Sequence, residues 1–118
     1  MTDTDLCEIT ITATDPNWLT DLCRQLVDER LASSAHVINP VTSIYRWEGD
    51  VHQAVEARAF LRSRLDLVDE LTAYVTERHP YRVPNVTAAP LIGGNPEYLA
   101  WIREETAPIH PQRARSHS

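Results

Sequence analysis

The feature that most constrains this chain is a pair of long β-prone arms around one tight turn. Ala35 to Trp47 is rich in β-branched and aromatic residues, Glu48-Gly49-Asp50 is a turn signal, and Val51 to Ser63 alternates polar and apolar. Val55, Ala57, Ala59 and Leu61 share one face of the second arm. The segment predicts a β-hairpin with arms of about 13 residues, which at ~3.3 Å per residue span about 43 Å. A compact domain of this length has a radius of gyration of only ~13 Å. The arms must therefore curl over their own sheet or extend past the body. Extended arms would expose unpaired backbone with Val41, Ile44, Tyr45, Trp47 and Val51 on it, and proteins cover such edges. The expectation is that hairpins pair between subunits and close a ring. Pairing Trp47 with Val51 puts Arg46 near His52, Thr42 near Glu56 and His36 near Arg62, within one residue of register.

The other elements follow from local signals. Leu6 to Ala13 alternates as a half-buried strand. Asp15-Pro16 supplies a cap and a proline start for an amphipathic helix from Pro16 to about Arg30, with Leu19, Leu22, Cys23, Leu26 and Val27 on its apolar face. Asp66 is expected to cap a second helix that ends near Arg78. The prolines of His79-Pro80-Tyr81-Arg82-Val83-Pro84 stop it. Val86 to Ile92 reads as a fourth strand, and Asn95-Pro96 starts a short third helix. The order βαββαβ plus a C-terminal helix is an α+β, ferredoxin-like arrangement. Residues 1–106 form one domain on this reading, and 107–118, rich in proline, arginine and histidine, are expected to be a disordered tail.

Composition excludes several chemistries. All 11 basic residues are arginine, which removes Schiff-base and phosphate-loop lysine mechanisms. The three glycines, Gly49, Gly93 and Gly94, cannot build a dinucleotide-binding loop. A net charge of -6 argues against a nucleic-acid partner. No apolar run approaches the ~18 residues of a membrane span, and the acidic start, with no apolar run behind it, is not expected to be a secretory signal. Cys7 and Cys23 form no Cys-x-x-Cys pair, fall on apolar faces, and are expected to be buried thiols of a cytoplasmic protein. No nucleophile, base and orienting acid stand in a recognisable pattern, so the chain reads as a binding module rather than an enzyme.

Four stretches carry a resemblance: Ala32-Ser33-Ser34-Ala35, the run TSIYRWEG from Thr42 to Gly49, HPY-x-x-P from His79 to Pro84, and Tyr98-Leu99-x-Trp101. In this order and spacing, from roughly Glu8 to Arg103, they resemble the CutA family, linked with divalent-cation tolerance. The resemblance implies a ferredoxin-like subunit, a homotrimer joined through long hairpins, an architecture similar to the PII signalling proteins, and cytoplasmic binding or tolerance of divalent cations, chiefly copper. Many members carry cysteine at the position of Ser34 and lysine at that of Arg62. The usual Pro-Gly before TSIYRWEG reads Asn39-Pro40 here.

Candidate site residues follow. His79 is the first candidate for a metal ligand, since imidazole suits copper and zinc. The alternative is a cap on the second helix's last carbonyls. Glu56 is a carboxylate in an apolar strand and needs a partner. Arg58 or Arg62 on the same strand face would supply one. The plainer reading is a salt bridge across the trimer interface, and the functional one a polar anchor in a small-molecule or metal cleft. His36, Glu56, Arg62 and Tyr81 are expected to line a mixed-charge cleft between subunits for a metal or a small ligand. Ordinary interface polarity is the plainer reading. Tyr45, Trp47, Val51 and Trp101, with Tyr98, are expected at the trimer interface. The alternative function is a PII-like regulator that binds a small ligand without a metal role. His110 and His117 in the tail would bind copper adventitiously.

Overall fold

The computed structural model of the chain describes residues 5–106. The tail expected over 107–118 lies outside the described residues. The elements run β1 (Leu6–Ala13), α1 (Pro16–Asp28), β2 (Ser34–Trp47), β3 (Asp50–Arg64), a 3-10 turn at Leu65–Leu67, α2 (Val68–Arg78), β4 (Val86–Pro90) and α3 (Pro96–Thr106). One antiparallel sheet has the order β2-β3-β1-β4, which is the ferredoxin-like arrangement. α1 and α2 cover one face. Cys7, Ile9, Ile11 and Ala13 from β1, and Ala57, Ala59 and Leu61 from β3, pack there against Leu19, Leu22, Leu26, Leu71 and Val75. α3 packs on β3 and β1 and buries Ile102 and Thr106. No helix among the described residues is long and apolar enough to cross a membrane.

Local chemistry sets most boundaries. Asp15 caps α1 by accepting the Asn17 and Trp18 amides at 2.9 and 3.4 Å, and Pro16 occupies the first turn. Asn95 accepts the Glu97 amide at 3.0 Å at the start of α3. Asp66 does not cap the second helix. Its carboxylate takes a two-pronged bond from Arg64 at 2.9 and 2.7 Å, and Leu67 occupies the cap position without a side-chain bond. The guanidinium fork of Arg64, two residues back, competes successfully for the carboxylate.

The hairpin register lies one residue from the Trp47–Val51 pairing, inside the expected range above the bulge and outside it below. Trp47 faces Asp50 rather than Val51, because the turn is the two-residue Glu48-Gly49 with positive φ of 51° and 88°. Val41 therefore faces Glu56. A bulge between Ile38 and Val41 sets Asn39 and Pro40 opposite the single residue Ala57, at the place where proline has no amide to give the ladder. Below the bulge, His36 faces Phe60 and Ser34 faces Arg62, so the expected His36–Arg62 pair is displaced by two residues.

β3 has 15 residues and β1 only 8, so β1 pairs with β3 from Ala57 to Arg64 alone. Beyond Ala57 the hairpin leaves the sheet and its strands pair only with each other. The Cα radius of gyration is 15.2 Å, against roughly 13 Å for a compact chain. Val55 lies on the same strand face as buried Leu61 yet is 63% exposed, because the helices end below it. Leu61→Ala is expected to cost about 2–5 kcal/mol in chemical denaturation. A loss below about 1 kcal/mol would contradict a core centred on β3.

Candidate functional site

A cavity of about 860 Å³ opens where the hairpin leaves the sheet. One wall is the hairpin, with Val41 to Tyr45, Trp47, Glu48, Glu56 and Arg58. The other wall is the loop after α2, with Tyr81, Arg82, Val83 and Asn85, and Thr12 closes the floor. Glu56, Arg58 and Val41 point to the sheet face opposite α1 and α2, since Ala57 and Ala59 point into the core.

His79 fixes the loop. It follows the last residue of α2 in an extended conformation, with its amide on the Val75 carbonyl at 2.8 Å. The residue is 8% exposed, and its ring sits edge-on to Trp18, centroids 4.9 Å apart. Nδ1 accepts the Tyr81 amide at 3.0 Å. Nε2 is 2.8 Å from the Thr12 carbonyl and donates to it. Both nitrogens of a neutral imidazole are thus engaged. The side chain does not cap α2 either. Arg78 does so, donating to the Tyr74 carbonyl at 2.8 Å with its guanidinium 3.5 Å from the Tyr74 ring centroid.

This anchoring places Tyr81 over the hairpin. Its hydroxyl donates to Glu56 Oε2 at 2.5 Å and lies 2.5 Å from the Thr14 hydroxyl, which donates in turn. Burial, followed by the hydrogen bond to Glu56, raises the Tyr81 pKa above its usual value. Glu56 is 8% exposed, and no guanidinium among the described residues pairs with it. Arg62 pairs instead with Glu8 on the neighbouring strand, at 3.1 Å. Arg58 lies over the Phe60 ring, 5.2 Å from its centroid, with a buried Nε that has no hydrogen-bond partner among the described residues. Arg82 stands over Trp47, 5.7 Å from the ring centroid.

The chain therefore brings together two of the four cleft residues named from sequence, Glu56 and Tyr81. His36 and Arg62 lie further down the sheet and do not border the cavity. Among the described residues, no three His, Cys, Asp or Glu side chains converge closely enough to hold a metal ion. Tyr45, Trp47, Val51 and Trp101 are exposed in the single chain. Tyr45 stacks on His52 at 5.5 Å, and Trp101 lies 5.4 Å from Tyr98 on α3. Sequence reasoning considered Arg58 only as a partner for Glu56, although its place two residues along the same strand face already put it in the cleft. Thr12 and Thr14 had no signal, because a loop 67 residues away selects them. Cys7 and Cys23 are buried, and burial pushes both thiols up to about 11.

The model of the CutA1 divalent ion tolerance protein family matches residues 7–105. A mouse relative called Protein CutA is 36% identical over 89 residues, covering 75% of this chain and 50% of that protein. The chain thus spans about half the length of that relative. The solved structure of the divalent cation tolerance protein from Thermus thermophilus superposes with a TM-score of 0.84 at 34% identity, covering 86% of this chain and 99% of that one. The periplasmic divalent cation tolerance protein CutA from Archaeoglobus fulgidus superposes with a TM-score of 0.83 at 27% identity, covering 86% and 99%.

Tyr81→Phe tests the bridge. Loss of the hydroxyl leaves the buried Glu56 carboxylate without its donor, and a cost of about 1–3 kcal/mol is expected at neutral pH. Because the folded pKa of Tyr81 is raised, its stabilising term is complete below the unfolded tyrosine pKa of about 10 and fades as pH rises through the folded value. The stability gap between the two chains should narrow above about pH 10. Parallel curves from pH 7 upward would contradict the bridge.

Proposed function

The chain belongs to the CutA1 divalent ion tolerance protein family, and on that premise we propose that it is a homotrimeric binding protein acting in divalent-cation tolerance. The observation that carries the assembly is the free half of the hairpin. Two strands paired only with each other are marginal in water. Here they expose Ile44, Val51 and Val55 at 68%, 63% and 63%. Pairing with the hairpin of a neighbouring subunit satisfies the free edge and covers this apolar face. Three such contacts close a ring. The cavity beside Glu56 and Tyr81 then faces a neighbour, and we read it as the binding cleft.

Within that reading, a divalent cation such as copper draws its ligands from more than one subunit or from a rearranged loop. His79 becomes a ligand when a cation displaces the Tyr81 amide from Nδ1, so binding there moves the loop that forms the cavity wall. His36, Ser34 and Arg62 belong to the same sheet face and come to the cleft only through assembly. The two free, buried thiols favour a reducing compartment, and we place the protein in the cytoplasm. A second reading, a PII-like trimer that responds to a small ligand, is favoured by the two guanidinium groups in the cavity.

Light scattering at micromolar concentration is expected to give three times the chain mass, and a monomer would contradict the assembly. Copper(II) titrated calorimetrically into the full chain carrying His110→Ala and His117→Ala should bind saturably. His79→Ala should weaken that binding by about tenfold or more while the trimer persists. Binding indifferent to His79→Ala would remove His79 from the cation site.

A further inference from the structure

Arg58 is the part of the cavity that the chain leaves unsatisfied. Its Nε is buried without a hydrogen-bond partner, and no described carboxylate forms an ion pair with the guanidinium. A buried, unpaired donor on a permanent cation is costly, and native proteins retain one where something else supplies the acceptor. Two residues back on the same strand face, about 7 Å along the strand, Glu56 has the mirror-image condition. Its carboxylate holds the Tyr81 hydroxyl and has further acceptor capacity, with no described cation paired to it. Side chains this close would satisfy one another by pairing. They instead stand apart, Arg58 over Phe60 and Glu56 under Tyr81.

We propose that the cavity binds a small carboxylate that also carries an amine or hydroxyl group, its acid end held by Arg58 and its donor end by Glu56. The proposal rests on the reading of the cavity as the binding cleft and deepens it by naming the class of ligand. Guanidinium forks match a carboxylate in two-pronged geometry. Arg82 closes the opposite wall from its place over Trp47. Tyr45 and Trp47 supply apolar wall beside these few polar groups. The volume of about 860 Å³ lies within the range of small-molecule sites. A bare divalent cation fits the same space poorly, because two guanidinium groups repel it and Glu56 and Glu48 are the only carboxylates among the described residues that line it.

The test is a set of NMR titrations of the full chain, freed of metal on a chelating resin, with three probes: L-glutamate, which carries an amine, L-malate, which carries a hydroxyl, and succinate, which carries neither. Saturable amide shifts at residues 41–47 and 81–85 are expected with L-glutamate or L-malate, and succinate should bind at least about fivefold more weakly. Arg58→Gln should weaken binding by about tenfold. Arg58→Lys keeps the charge and loses the two-pronged fork, so a loss of about fivefold there keeps the test valid if Arg58→Gln fails to fold. Glu56→Gln should weaken L-glutamate more than L-malate, since the carboxylate pairs best with a charged amine. No saturable shift with any probe up to about 10 mM, or binding unchanged in both Arg58 variants, would overturn the proposal. A separate arm uses copper(II) alone. Acid binding to the metal-free chain with no cation binding upholds the proposal and removes the cation reading. Cation binding with no acid binding overturns the proposal and upholds the cation reading.

Discussion

β3 is longer than the sheet that contains it. Its inner half, Ala57 to Arg64, has β1 on one side and, as far as Arg62, β2 on the other, with helices over its apolar face. Its outer half, Asp50 to Glu56, has only β2. Everything distinctive in the chain follows from that mismatch. The inner half supplies the core, where Ala57, Ala59 and Leu61 are fully buried. The outer half supplies one wall of a cavity and an apolar ribbon that the chain's own helices do not reach. Hydrophobic burial holds the first half in place. The second half has a cross-strand ladder and a two-residue turn, which alone give little stability, so its ordering in water calls for a partner surface.

The cavity depends on a second constraint, the satisfied imidazole of His79. A neutral ring that donates to the Thr12 carbonyl and accepts the Tyr81 amide ties the end of α2 to the end of β1. That tie delivers the Tyr81 hydroxyl to Glu56 across the gap left by the departing hairpin. His79 thus acts first by position: it sets where the wall stands. Any ligand role for it competes with that position, because both nitrogens already have partners. Cation binding and small-acid binding are for this reason separable. As proposed, the first would disturb the loop at Nδ1, and the second would use Arg58 and Glu56 with the loop intact.

The sequence was most legible where local chemistry decides. Asp15-Pro16 and Asn95-Pro96 marked two helix starts through side-chain caps, and alternation marked β1 and both hairpin arms. It was least legible where two local signals compete or where distant segments meet. Asp66 looked like a cap and proved to be the partner of Arg64. Glu48-Gly49-Asp50 announced a turn without stating its length, and the two-residue solution shifted the register by one. Asn39-Pro40 then added a second shift through a bulge, which separated His36 from Arg62. Glu56 and Tyr81 were both named in advance for a cleft. The Thr14 hydroxyl that completes their bridge comes from a segment that no pattern within either stretch could indicate.

The central claim is that the outer half of the hairpin is covered by a second copy of the chain. Amide hydrogen exchange on β2 tests it most directly. Between Val41 and Trp47, alternate amides point away from β3 and meet no other strand among the described residues of the single chain. At micromolar concentration the account predicts that these outward amides exchange about as slowly as the inward ones, and that both speed up together on dilution to dissociation. Outward amides that exchange at the rate of an open edge at all concentrations, beside protected inward ones, would contradict it.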